Sequence, residues 1–347
     1  MKKILALALC LCMVLCAVAC TTTKEPEAKE AEYKLGLGVV VSTASTNGTN
    51  AQVDATIAAV VTDADGKIVL CRIDVAQNKM TVENGTIANN DTYKTKMEKG
   101  PEYGMAGKVD NDGDGVMLEW DAQAKAFESY VVGKTGTEVA AIETKEANGH
   151  QIAVDSALLG AGCSMQITDF MAAVEKACND EQGMTFKTAS TFTLGVAANT
   201  GDADSKSVDG EKEGLVAMYS DIAACVVADG KIIAALNDAI QPKITVNVDG
   251  TLAPQEFKGT KRELKSGYGM EGKVDNNGDG VMKEWFEQSK AFSEYAVGKT
   301  AADIKGMQTT EANGHQITVD QALLEAGCSI QITGICAVVA EAAEIAR

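Results

Sequence analysis

Apolar residues in the first part of the chain form short runs separated by turn residues. Segments 36–44, 52–62 and 67–75 are rich in Val, Ile and Ala, which is typical of β-strands. Asp65-Gly66 lies between the second and third segments, and Asn84-Gly85 follows the third. Because these dipeptides favour the backbone of a two-residue turn, the pattern predicts antiparallel hairpins.

A different period begins at about Met117 and lasts to about Val132. Its apolar residues are spaced four, three and four positions apart, which places them on one face of a helix: Trp120, Ala124, Phe127 and Val131. Gly133 follows in the position of a C-cap. We interpret this aromatic stripe as core rather than as a platform for a ligand. Asn148-Gly149 then predicts a further hairpin, and a final helix is predicted from Thr168.

The second half of the chain repeats the first. Residues 103–168 align with residues 268–333 at a constant offset of 165, and 44 of these 66 positions are identical. A duplication of this length predicts two tandem domains, which we place at 34–182 and 186–347. The fold class expected for each is α+β, with an antiparallel sheet plus helices.

The N-terminus has the layout of a signal peptide. Two lysines precede an uncharged apolar run at 4–18, which is short for a membrane span, and small residues lead to Cys20. A cysteine at this point resembles the lipobox of bacterial lipoproteins. We predict a signal peptide at 1–19, lipidation of Cys20 and a disordered tether over 20–33. The protein would then be lipid-anchored on the extracytoplasmic face of the cell membrane; plain secretion is the alternative.

Charge and cysteine content narrow the range of partners. The formal net charge is −18, which disfavours nucleic acid and anionic headgroups as partners, so membrane contact is expected only through the lipid anchor. Cysteines beyond the anchor form no CxxC pair and no zinc-type spacing with histidine. We predict that most of them are small buried hydrophobic residues: Cys71, Cys163, Cys178, Cys225, Cys328 and Cys336.

An acidic loop precedes the predicted helix in each copy. Oxygen side chains at positions 1, 3 and 5, followed by a glycine, form the start of a calcium-binding loop. In the first copy the ligands would be Asp110, Asp112, Asp114, the Val116 carbonyl and Asp121. The second copy offers Asp275, Asn277 and Asp279, but Phe286 stands at its closing position. The alternative interpretation is a solvated turn that places acids near a helix N-terminus.

Two further features occur once in each copy. His150 and His315 are the only histidines, and each follows an Asn-Gly turn, where a histidine is commonly a surface residue. An Ala-Gly-Cys-Ser turn precedes each final helix, and its candidate phosphate-binding residues are Gly162, Cys163, Ser164, Gly327, Cys328 and Ser329. The alternative for these turns is a tight glycine turn with a buried cysteine. The chain contains no P-loop, GxGxxG motif or Ser-His-Asp order.

The order of these motifs resembles a known flavin-binding family. Asp-Gly-Lys-Ile recurs at 65–68 and 229–232, and Ala-Ala-Val-Glu-Lys-Ala occupies 172–177. Similar motifs occur in the FMN-binding domain of bacterial electron-transfer lipoproteins and flavoprotein subunits. The segment 260–265 with Tyr-Gly-Met at 268–270 also resembles Clostridia-type lipoproteins assigned near this family. The resemblance implies that Gly162 and Ser164 occupy the positions of the family's motif glycine and flavin-carrying threonine.

This turn departs from the family motif Asp-x-x-Ser-Gly-Ala-Thr at four positions. Ala161 replaces the serine, Cys163 the alanine and Ser164 the threonine, and Asp155, nine residues before Ser164, is too far back for the aspartate. We therefore expect no covalent flavin: either FMN binds noncovalently, for electron transfer to a redox partner protein with the histidines as candidate flavin-edge groups, or the fold was retained after flavin binding was lost. The alternative, from a different class, is a non-enzymatic surface lipoprotein that binds calcium or a small ligand. A solute-binding lipoprotein is disfavoured, because such proteins have two non-identical lobes.

Overall fold

The structure, a computed structural model, describes residues 30–88, 92–273, 275–280 and 282–347. The predicted signal peptide at 1–19 and Cys20 lie outside these residues. Elements of the first copy are, in chain order, β1 (Ala31–Ser42), β2 (Asn50–Asp63), β3 (Ile68–Glu83), β4 (Thr86–Ala88), α1 (Lys96–Lys99), α2 (Trp120–Tyr130), α3 (Gly136–Ala140), β5 (Thr144–Ala147), β6 (His150–Ala153), α4 (Ser156–Gly160) and α5 (Thr168–Cys178).

The chain from Met184 onward repeats this order with shorter strands. Its elements are β7 (Met184–Thr188), β8 (Thr193–Gly201), β9 (Gly214–Val216), β10 (Tyr219–Ala228), β11 (Lys231–Ile240), β12 (Ile244–Val246), β13 (Leu252–Pro254), α6 (Lys261–Leu264), α7 (Trp285–Ala296), α8 (Ala301–Lys305), β14 (Thr309–Ala312), β15 (His315–Thr318), α9 (Gln321–Glu325) and α10 (Thr333–Glu344).

The sheets are antiparallel throughout the described residues, so the α+β class is confirmed. One sheet has the order β4-β3-β2-β1-β7, and the others are β11-β10-β8, β13-β12-β9 and the two hairpins β5-β6 and β14-β15. The predicted turns at 65–66, 84–85 and 148–149 each join two paired strands. The predicted junction between the copies also adds a strand, because β7 pairs with β1.

Strand β2 shows how the layers are stacked. Its residues are buried on both faces: Ala58 and Val60 contribute to one apolar cluster, whereas Ile57 and Val61 contribute to another. Successive side chains of a strand point to opposite faces. The first cluster lies under the helices of its own copy, and the second is shared with Leu194, Val196 and Ile222 of the other copy. The two sheets therefore pack on each other, with helices on the outer faces.

Gly36 in β1 and Gly195 in β8 allow the last helix of each copy to approach the strand closely. A Cβ atom built at Gly36 would lie 1.9 Å from the Ala177 carbonyl oxygen, and one at Gly195 would lie 1.9 Å from that of Ala342. No side chain fits at such a distance. The Leu-Gly pairs are thus required where α5 and α10 cross the sheets.

The start of α2 and the burial of the cysteines can also be compared with the predictions. Helix α2 begins at Trp120, three residues after the predicted start, because Glu119 is an extended N-cap residue whose carboxylate accepts from the N–H groups of Met105 and Ala106. The predicted burial of the cysteines is confirmed for five of the six, with Cys178 half-buried, and all six are free thiols.

Ion pairs lie at the contact between the copies. Arg262 pairs with Asp180 at 3.0 Å, and Lys176 pairs with Glu263 at 2.6 Å. At the place related to the second pair by the repeat, Glu98 stands beside Glu341, and burial together with the Glu98 charge raises the pKa of Glu341. On one side of the contact, Arg262 and Lys176 therefore neutralise the acids. On the other side, Glu98 and Glu341 lie near each other without a basic partner between them among the described residues.

Candidate functional site

A cleft of about 510 Å³ opens in the first copy between β3, α1, the acidic loop and β6. Its polar lining contains three lysines, Lys79, Lys96 and Lys108, together with His150 and three neutral amides, Gln77, Asn111 and Gln166. In a protein of net charge −18, this concentration of positive groups is the reverse of the overall balance. Apolar and aromatic lining residues include Tyr103, Met105, Trp120 and Met165. A cleft with convergent cations and aromatic surface suits an anionic, planar ligand.

Lys96 contacts two aromatic rings of the cleft. Its Nζ lies 4.9 Å from the centroid of the Tyr103 ring and 5.4 Å from that of the Trp120 ring, within the range of cation–π contact. The residue sits in the first turn of α1, which Thr95 and Glu98 hold through a reciprocal capping box. A short capped turn thus fixes the backbone from which the ammonium reaches the rings.

The second copy contains the same arrangement. Lys261 Nζ lies 5.0 Å from the Tyr268 ring centroid and 5.2 Å from that of Trp285, and Thr260 with Glu263 forms the capping box. Six polar cleft residues have an identical counterpart there: Gln77 and Gln241, Lys79 and Lys243, Lys108 and Lys273, Asn111 and Asn276, His150 and His315, Gln166 and Gln331. The second copy therefore repeats the polar residues of the cleft, whereas Ile330 replaces Met165.

A buried aspartate lies beneath each capped turn. Asp74 Oδ1 accepts from the N–H groups of Val75 at 2.7 Å and Met97 at 3.0 Å, and Asp238 Oδ1 accepts from those of Ala239 and Arg262. Burial raises the pKa of each carboxyl to about 6, even though these hydrogen bonds act in the opposite direction. These groups hold the turn and do not themselves line the cationic cleft.

The carboxylate beside each cleft lysine comes from a different element in each copy. Burial and then the charge of Asp54 raise the pKa of Asp169, at the start of α5, more than Lys96 lowers it. Burial likewise raises the pKa of Asp221 of β10 more than Lys261 lowers it. Gly334 occupies the position of Asp169 in the second copy, and a Cβ there would lie 1.9 Å from Asp221 Oδ2. One aspartate thus takes the space that the other would need.

The Ala-Gly-Cys-Ser turns border the clefts, but their N–H groups are already bonded. In the first copy Gly162 and Cys163 donate to backbone carbonyls of α4, and Ser164 donates to Gln123 Oε1 at 3.0 Å. In the second copy Ser329 donates likewise to Gln288 at 2.8 Å, and Gly327 and Cys328 donate to α9. A phosphate could use these donors only if those bonds broke.

The serines and cysteines of these turns are also buried. Ser164 is 2% exposed and Ser329 is 4% exposed, so neither hydroxyl is presented on the surface. Burial raises the pKa of the Cys163 and Cys328 thiols to about 12, which keeps them protonated. As folded, the turns support the cleft wall, whereas the exposed Gln166 next to Ser164 lines the cleft itself.

The first acidic loop brings three of its predicted ligands together. Single oxygens of Asp110, Asp112 and Asp114 all lie within 4.8 Å of one another. Burial, followed by the charge of Asp114, raises the pKa of Asp112, whose Oδ1 has no hydrogen-bond partner among the described residues. Asp121 is not part of this group: it lies on α2 and pairs with Lys125 at 2.7 Å. The Val116 N–H donates to Asp114 Oδ1 at 2.7 Å.

The second acidic loop is closed by its own hydrogen bonds. Asp275 accepts from the N–H groups of Gly278 at 2.7 Å and Gly280 at 3.0 Å. Asn277 donates its amide to Asp279 Oδ2 at 2.7 Å. This internal bond occupies two of the three predicted side-chain positions, so the second loop is less suited to a cation than the first.

The sequence predicted the location of Trp120 but did not identify the cleft lysines. Trp120 is 3% exposed, which confirms its place in the core, yet its ring also contacts the Lys96 ammonium. The cleft lysines were not predicted as a group. Their one sequence signal is the repeat, because each recurs in the second copy.

No family model, curated protein or solved structure matches this chain. None of the helices within the described ranges is long and apolar enough to cross a membrane. The chain forms an α+β protein with two facing sheets and, in its first copy, a cleft lined by lysines and aromatic residues, whose Lys–Tyr–Trp cluster recurs in the second copy.

Proposed function

We propose that this protein is an extracytoplasmic lipoprotein that binds a planar, anionic cofactor of the FMN class, noncovalently, in its two clefts. The observation that carries the proposal is the Lys–Tyr–Trp cluster, which occurs in both copies and has His150 in the same cleft of the first. Cations around an aromatic surface match a ligand that carries both a phosphate and a flat ring system. Anchoring through Cys20 would place this binding protein at the outer face of the membrane.

The cleft residues fit such a ligand better than the Ala-Gly-Cys-Ser turns do. Lys79, Lys96 and Lys108 supply positive charge for a phosphate, and Tyr103 supplies an aromatic surface. His150 is exposed at the same cleft and is the titratable group that could contact a ring edge. Bound FMN would supply electron-transfer chemistry. The protein's role would be to hold and orient it for a redox partner.

The two tryptophans make the proposal testable, because they are the only ones in the chain and each belongs to one cleft. FMN added to the mature protein should quench their fluorescence and leave flavin absorption bands after gel filtration. The Trp120→Phe variant reports on the second cleft alone, and Trp285→Phe reports on the first.

Lysine variants locate the site. We expect Lys96→Ala to weaken binding to the first cleft by about tenfold, equivalent to about 1.4 kcal/mol, while Lys212→Ala, at an exposed site, has no effect. Absence of both quenching and retained flavin at saturating FMN would reject the proposal. Quenching that the Lys96→Ala variant leaves unchanged would reject this location.

The alternative is a structural calcium site in the first acidic loop. Its supporting observation is the convergence of Asp110, Asp112 and Asp114. Calcium bound there should raise the melting temperature, and Asp112→Asn should abolish the increase, whereas Asp279→Asn in the second loop should not. An increase that survives Asp112→Asn would place any calcium elsewhere.

A further inference from the structure

A cavity of about 250 Å³ lies where the capped turn of the first copy meets β8 and the end of α10. Three carboxyl groups line it, those of Asp74, Glu98 and Glu341, so we call it the acidic cavity. Much of the remaining wall is apolar and includes Ile73, Met97, Val196, Ala198 and Ile345. The acidic cavity and the cationic cleft of the first copy share no described lining residue, so the two are separate.

The repeat-related place on the other side of the contact is a cavity of about 320 Å³ that contains two ion pairs. We call it the paired cavity. Arg262 pairs with Asp180 at 3.0 Å, and both are buried. Lys176 Nζ lies 2.6 Å from Glu263 Oε1 and donates to the Val39 carbonyl at 2.8 Å. An ammonium group therefore has a defined position there, between a carboxylate of the capped turn and a strand carbonyl.

The first of these ion pairs is replaced by apolar residues in the acidic cavity. By the repeat, Met97 stands for Arg262. Ile345 likewise stands for Asp180, and it is 50% exposed at the edge of the cavity. This exchange removes a guanidinium together with its carboxylate, so it leaves no charge unbalanced. Its result is an apolar wall that solvent can reach.

The second ion pair has lost only its cation. Glu98 keeps the position of Glu263 and the capping box with Thr95. Glu341, however, stands for Lys176. Burial, followed by the charge of Glu98, raises the pKa of Glu341, as expected for two carboxyl groups that line one cavity. A second carboxylate has therefore taken the place of the ammonium.

Neither Glu98 nor Glu341 forms a salt bridge among the described residues. The basic residues that line the cavity or lower the pKa of Glu341 each have a carboxylate partner elsewhere: Lys125 with Asp121 at 2.7 Å, Arg347 with Glu128 at 2.9 Å and Lys305 with Glu344 at 3.5 Å. The two glutamates are thus the unbalanced charges of the acidic cavity, and they favour a cation.

We propose that the acidic cavity binds a primary amine with a compact apolar body. Its ammonium group would take the position that the Lys176 ammonium has in the paired cavity, beside Glu98 and Glu341. Met97 and Val196 would contact the apolar body. A calcium or magnesium ion fits less well, because such ions need about six oxygen ligands and the wall beside the glutamates is apolar. The proposal is independent of flavin binding, because it uses none of the cleft residues.

The probe is phenethylamine, which is protonated at neutral pH, and isothermal titration calorimetry of the full mature protein measures its binding. We expect saturable binding of the amine at low ionic strength. Phenethyl alcohol has the same body without the charge, and phenylacetate has the opposite charge. Neither should bind, because the alcohol cannot neutralise the two glutamates and the carboxylate would be repelled by them.

Two substitutions of one glutamate then test the location. Glu341→Lys restores the internal ammonium of the paired cavity and should abolish binding of the amine. Glu341→Gln removes one charge with little change in shape and should weaken binding by at least about tenfold. The matched control is Glu211→Lys, which makes the same change in net charge at an exposed position and should leave binding unchanged. Unchanged binding in either Glu341 variant that retains the parent circular dichroism, or binding of the alcohol as tight as that of the amine, would overturn the proposal.

Discussion

The buried carboxyl of Asp74 provides a sharp test of the electrostatics inferred for this fold. Asp74 is 3% exposed, and both of its hydrogen bonds from backbone N–H groups, those of Val75 and Met97, reach the same oxygen, Oδ1. Asparagine has an oxygen in that place and carries no charge. The carboxyl also has a side-chain hydrogen bond with Thr95. The Asp74→Asn substitution should keep both backbone bonds and remove the cost of burying an anion.

The magnitude follows from the shift in pKa. Burial raises the pKa of Asp74 from 3.8 to about 6, and two pKa units correspond to about 3 kcal/mol. Because the folded state holds the proton more tightly than the unfolded state, the stabilisation is complete below pH 3.8 and is lost as pH rises through 6. At pH 8 the ionised carboxylate destabilises the native protein by up to about 3 kcal/mol relative to the neutral form.

Urea unfolding followed by circular dichroism at pH 4 and pH 8 measures the effect. We expect Asp74→Asn to raise the free energy of unfolding by about 1–3 kcal/mol at pH 8 and to change it little at pH 4. Asp65→Asn, at an exposed turn position, is the matched control and should show no such difference. Destabilisation by Asp74→Asn that is as large at pH 8 as at pH 4 would refute the reasoning, since the relief of a buried charge should appear only at the higher pH.

Three further predictions concern packing, charge and anchoring. Gly36→Ala should destabilise the protein by about 3 kcal/mol or more, because its Cβ would overlap the α5 backbone. The control variant Gly160→Ala, which has open space around it, should be tolerated. Thermal unfolding of the two variants measures the difference. Glu341→Lys should stabilise by about 0.5–1 kcal/mol in low salt by converting the contact with Glu98 into an ion pair, a gain that high salt should remove. Cys20→Ala should abolish labelling by radioactive palmitate and move the protein from the membrane fraction to the soluble fraction.

Local turns were predictable because they depend on few residues. Asn84 and Asn148 adopt positive φ angles of 50° and 53°, and the glycine after each does so as well, which is what an Asn-Gly dipeptide permits. The packing of one sheet on the other was not predictable in the same way. The continuous apolar run at 57–61 indicates that both faces of β2 are buried, but it does not identify what covers each face.

The parts of the candidate site that the sequence did not predict depend on contacts between residues that are far apart in the chain. The Ala-Gly-Cys-Ser turn has the composition of a phosphate loop, yet Gln123, about forty residues earlier, accepts from its N–H groups. The cleft lysines come from separate segments, around residues 79, 96 and 108, each of which has an ordinary polar composition. Only the comparison of one copy with the other singles them out before the fold is known.

Differences between the copies are as informative as their identity. Both copies keep the cluster of lysine, tyrosine and tryptophan, and both have an aspartate near the lysine, although Asp169 belongs to a helix and Asp221 to a strand. If the aspartate served only to begin α5, its replacement by Gly334 would not require a second carboxylate at the same place. The repeat therefore keeps a carboxylate beside each lysine even where the element that carries it changes. The contact between the copies follows the opposite course, since Leu236, Ser293 and Gln182 stand across the repeat from the charged group Arg72, Glu128 and Arg347.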